Sequence, residues 1–106
     1  MNKARRKEIY NIIIRLESLQ GNDSYATETL EDIYTDIDVI YDDEYEYMEN
    51  IPENMQGGAR YEAAEEACDN LDNAKDSVQS AINSDNCEER DEYISEAIEY
   101  LESASI

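Results

Sequence analysis

The chain has 106 residues, 28 acidic against 8 basic side chains, no His, no Trp, no Phe and a net charge of −20. One modest core is the natural expectation at this length. The charge argues against direct binding to nucleic acid or to an anionic membrane, and it points to a basic protein surface as partner. Disorder is excluded for most of the chain, because apolar residues recur at helical spacing in every long segment.

Residues 3–20 read as a helix. Ile9, Ile12, Ile13, Leu16 and Leu19 form its apolar stripe, with Tyr10 and Ile14 widening it. Lys3, Arg5, Arg6 and Lys7 supply half the basic charge of the chain. They sit where the helix dipole disfavours cations. They are expected to pair with acids across a bundle, and the alternative is a contact site for nucleic acid or a partner. Gly21 ends the helix, and Asn22, Asp23 and Ser24 are turn and capping residues.

A second helix is expected over 25–49. Leu30, Ile33, Tyr34, Ile37, Ile40, Tyr41, Tyr45 and Met48 recur every three or four residues. Glu31, Asp32, Asp36, Asp38, Asp42, Asp43, Glu46 and Glu49 fall on the opposite side or its borders. No Lys or Arg lies between Arg15 and Arg60 to neutralise them locally. Pro52 and the Gly57-Gly58 pair mark the break at 50–58.

Helical period resumes at Ala59 and runs to about Asn83, with an alanine-rich face that permits close helix approach. Ser84-Asp85-Asn86 reads as a turn or cap, with the next helix starting at Ser84 or Asp85. Tyr93, Ile94, Ala97, Ile98, Leu101 and Ala104 make a last stripe. Residues 59–104 are one bent helix or, more consistently with the apolar gap after Ile82, two. The expected fold is all-α: a single domain over 1–106 forming an antiparallel three- or four-helix bundle, built on helical hairpins with coiled-coil-like packing. The width of the Tyr-rich stripe on 25–49 admits a homodimer.

Catalytic chemistry has no support. The carboxylates lie on helix faces, and there is no His to pair with a nucleophile and no glycine-rich phosphate loop. Asp36-Ile37-Asp38 and Asp42-Asp43-Glu44 lack the central glycine of a calcium loop. No metal or cofactor is expected. Cys68 and Cys87 lack zinc or redox spacing and read as reduced thiols in or near the core, with a disulfide left open. The apolar run near the N-terminus is too short to span a membrane or to be a secretion signal, which makes the cytosol the expected location.

From Leu16 onward, 27 acids face three bases. Helix neighbours three or four residues apart lie about 5–6 Å from each other, on the order of the phosphate spacing along a nucleic-acid strand. Asp32, Asp36, Asp38, Asp42, Asp43, Glu46 and Glu49 are therefore candidates to occupy a basic nucleic-acid-binding groove. A surface kept acidic only for solubility would mix both signs, since like charges at these spacings destabilise a helix. In an alternative reading, Tyr45, Tyr47, Ile51 and Met55 bind a partner by shape.

Residues 43–56, DEYEYMENIPENMQ, with the Glu-Ala-rich segment Tyr61-Glu62-Ala63-Ala64-Glu65-Glu66-Ala67, its continuation Leu71-Asp72-Asn73-Ala74 and the opening Lys3-Ala4-Arg5-Arg6-Lys7, resemble small acidic helical proteins encoded by bacteriophages. The resemblance implies a phage protein working in the cytoplasm of a bacterial host. It also implies an inhibitor of a host nuclease, restriction enzyme or CRISPR effector. A virion or packaging accessory is the third reading.

Overall fold

A computed structural model describes residues 1–21 and 27–106. Among these residues four α-helices follow one another: α1 (Lys3–Leu19), α2 (Thr27–Glu49), α3 (Ala59–Ile82) and α4 (Cys87–Ala104), with a 3-10 turn over Glu53–Met55. Each helix packs on the next, and α1 also packs on α4, which makes an all-α bundle. It is elongated, 51 × 21 × 18 Å. The expected turn at Asn22, Asp23 and Ser24 and the start of the second helix at Tyr25 lie outside the described residues.

Local chemistry sets the helix ends. The Asn2 side chain accepts from the Arg5 amide at 2.8 Å and caps α1. Gln20 closes that helix in extended backbone, and Gly21 follows at φ +73°, a conformation that glycine adopts without strain. Pro52 follows the end of α2, and Ile51 tucks inward beside it. Residues 59–104 form two helices, because Asn86 caps α4 through a 2.8 Å bond from the Glu89 amide. The expected start at Ser84 or Asp85 is thus displaced: Asn86 offers the side-chain acceptor that the first turn needs.

The core joins Ile9, Ile12 and Leu16 of α1 to Leu30, Ile33, Ile37 and Ile40 of α2, Leu71 and Val78 of α3, and Ile94 and Leu101 of α4. Burying each Leu or Ile contributes about 1.5–3 kcal/mol. Helix α3 makes the most extensive contacts, with α4 on one side and α2 on the other. Its buried face includes Ala64, Ala67, Ala74 and Ala81, which let neighbouring backbones approach closely. The far end of α1 is pinned to α4. The buried Arg90 guanidinium donates to the Leu19 carbonyl at 3.3 Å, and the Gly21 amide donates to Asp91 at 3.0 Å.

Two residues expected to widen the apolar stripe of α1, Tyr10 and Ile14, are exposed instead. Helices α2 and α4 supply the main contacts to this helix, and that suffices for its narrower Ile9–Ile12–Leu16 stripe. No described helix is long and apolar enough to cross a membrane.

Candidate functional site

The rotation of α2 decides which carboxylates face outward. Ile33, Ile37, Ile40, Glu44 and Met48 are all buried and follow one another at intervals of three or four. Asp42, Asp43, Glu46 and Glu49 must then point away from the core, and all four are exposed, as is Asp32. Among the described residues none of these five has an ion-pair partner.

The other two candidates on α2 stand differently. Arg15 of α1 reaches Asp36 at 2.7 Å, and Lys75 of α3 reaches Asp38 at 2.7 Å. The expectation that nothing neutralises the run holds along the chain but not across it, since the bundle carries a base from each flanking helix to the middle of α2. The seven predicted acids are thus two neutralised residues at mid-helix, Asp32 before them, and a group of four in the last two turns without an ion-pair partner among the described residues.

Glu44, which was not among the predicted acids, is the inward member of the Asp42-Asp43-Glu44 run. Its carboxylate is fully buried. Arg5 donates to it from Nε at 2.8 Å, and the Met1 ammonium lies 3.1 Å from its other oxygen. Of the four basic residues expected to pair across the bundle, Arg5 alone does so among the described residues. Its guanidinium also lies 5.8 Å from the Tyr47 ring centre. The signal for Glu44 was available in the sequence, because it continues the Ile33–Ile37–Ile40 spacing.

Between α2 and α3 runs a row of tyrosines. Tyr34 and Tyr41 are half-buried against the core. Tyr41 and Tyr45 stack with ring centres 6.0 Å apart. The Lys75 Nζ sits 4.8 Å from the Tyr41 centre and 5.7 Å from that of Tyr34. Burial alone would lower the Lys75 pKa, but the hydrogen bond and charge of Asp38 outweigh it and the net shift is upward. Burial, then the neighbouring Cys68 and Asp72, raises that of Tyr41. The Tyr45 hydroxyl is hydrogen-bonded to Glu49, which raises its pKa. The tyrosines thus lie at the core edge, where a ring can be buried while its hydroxyl stays solvated.

Helix α1 begins beside Glu44, so the last turn of α2 and the connection to α3 reach past it. This tip exposes Tyr45, Tyr47 and Met55. Ile51, expected to join them in a shape-based contact, is buried and holds the connection in place instead.

Both cysteines are free, Cys68 buried and Cys87 exposed. Burial, with Glu44 and Asp69 adding to it, pushes the Cys68 thiol up to about 11. Among the described residues no group of three acidic or cysteine side chains is placed to hold a metal ion. No known family model, curated protein or solved structure matches this chain.

Proposed function

We propose that this protein is a phage-encoded inhibitor of a bacterial host defence system, a CRISPR effector or a restriction nuclease, and that it occupies a basic nucleic-acid-binding surface as an acidic mimic of DNA. The phage origin and the target class rest on the sequence resemblance. The observation that carries the mimicry is the group Asp42, Asp43, Glu46 and Glu49: four exposed carboxylates in two turns, with no ion-pair partner among the described residues. Such an array offers a row of Lys and Arg the ion pairs and counterion release that a phosphate backbone offers. The buried Glu44 and its neighbours hold the helix in one rotation, so little conformational freedom is lost when the surface binds.

The test is capture of the target from a bacterial lysate on the immobilised protein, with and without competing duplex DNA and over a salt series. Mimicry requires that DNA displaces the target and that affinity falls steeply with salt. A complex indifferent to both rejects it.

A second reading is favoured by the tip, where Tyr47 in the last turn of α2 and Met55 in the 3-10 turn that follows are both exposed. There the protein blocks assembly or a conformational step of its target through apolar contact. Under that reading Tyr47→Ala with Met55→Ala removes binding, and DNA leaves the complex intact.

A further inference from the structure

Helix α1 carries a second surface of opposite character. Lys3, Arg6, Lys7, Tyr10 and Ile14 recur at spacings of three and four and share one face. The three bases are exposed and have no ion-pair partner among the described residues, and Tyr10 and Ile14 are 62% and 47% exposed. This face is about 16 Å long at helical rise. It is a cationic, partly apolar strip on a chain of net charge −20. The helix turns Ile9, Ile12 and Leu16 to the core, and α2 and α4 leave the strip uncovered.

We infer that this strip binds the acidic tip of a second copy of the chain, forming a two-fold dimer. Charge and apolarity both match: the tip carries Asp43, Glu46 and Glu53 beside the exposed Tyr47 and Met55. The placement also matches. The strip starts at the level of Glu44 and the tip reaches past that level, so the two surfaces adjoin at one end of the molecule. A two-fold axis there lays each tip along the other copy's α1, and both complementary contacts form at once. The large like charge of the two copies does not forbid this. At physiological salt the Debye length is about 8 Å, so the signs at the contact outweigh those farther away. The tyrosine stripe of α2, from which the sequence suggested a dimer, is partly taken up within the chain: Tyr34 and Tyr41 pack against the core and Lys75 of α3 lies over both rings.

Asp43 and Glu46 also belong to the group proposed to meet the target, so a target and a second copy compete for them, but the dimer is read on the purified chain alone. The experiment is sedimentation equilibrium over a concentration and salt series on three samples: wild type, K3E/R6E/K7E, and D43K/E46K/E53K. Wild type is expected to dimerise, and more weakly as salt rises. Each reversal should weaken dimerisation at least about 100-fold. An equimolar mixture of the two reversed chains should recover a dimer, since each reversed strip then meets a reversed tip. Circular dichroism checks helicity; K3Q/R6Q/K7Q replaces the first variant in the single-chain arms if it fails to fold, and the mixing arm is read on the folded charge-reversed pair. A single-chain mass throughout, a dimer indifferent to the reversals, or no recovery on mixing overturns the inference. The α1 variant keeps every α2 carboxylate, so loss of the dimer with target binding intact separates this inference from the proposed function.

Discussion

Arg5 donates its Nε–H to Glu44 across 2.8 Å, and the carboxylate it meets is closed to solvent. This pair joins the first turn of α1 to the fifth turn of α2, and it sets which side of α2 the remaining acids occupy. An ionised carboxylate buried without partners would cost several kcal/mol, so the guanidinium and the Met1 ammonium are what permit Glu44 to lie on the buried side of α2.

Glu44→Gln leaves those two cations facing a neutral amide. We expect a loss of about 3 kcal/mol in urea unfolding, far above the change from the same substitution at Glu46, which is solvated. Equal effects at the two positions would show that the buried pair does not stabilise the bundle.

Lys75 is expected to matter beyond its charge. It bridges Asp38 and two tyrosine rings from a largely buried stem. Lys75→Met keeps the stem and removes the cation, and should destabilise by about 1–2 kcal/mol. The Arg15–Asp36 pair is more exposed on both sides, so Arg15→Met should change stability by less than about 1 kcal/mol. Thermal melts of the two variants compare them directly.

Stability should fall on the alkaline side. The Cys68 thiol ionises near 9.0 when unfolded and near 11 when folded. The unfolded state therefore gives up its proton first, and stability drops as pH rises from about 9, with the loss complete above about 11. Two pH units correspond to about 2–3 kcal/mol. Lys75, whose folded pKa is raised, adds stability that is present below its ordinary 10.5 and lost as pH passes the folded value. Cys68→Ala should flatten the first part of this decline in denaturant titrations at pH 8 to 11.

The two thiols should separate by reactivity. Cys87 is exposed, whereas Cys68 is buried with a raised pKa. A maleimide reagent at neutral pH should label one thiol per chain quickly and the second only on unfolding, as mass spectrometry would record.

Charge reversal should divide the acids of α2 by position. Asp42, Asp43, Glu46 and Glu49 reversed together should abolish binding to a basic target and leave helicity intact. Reversing Asp36 and Asp38 should instead weaken the bundle, since Arg15 and Lys75 lose their partners. Binding that survives the first set and is lost with the second at unchanged helicity places the contact at mid-helix.

The helical class, the break at Pro52 and the apolar face of each helix were legible in the sequence, because helical period and breaker residues are local properties of the chain. So was the excess of acid on α2. Which acids stay free was not. Arg15 and Lys75 are 21 and 37 residues from Asp36 and Asp38, and only bundle packing brings them together. The exposure of Tyr10 and Ile14 is likewise a tertiary outcome, since spacing marks a residue as able to be buried while the number of neighbouring helices decides how wide a stripe is covered. Glu44 lies between these cases. Its register was readable along the helix, but a carboxylate accepts an inward position only when cations from another part of the chain meet it there.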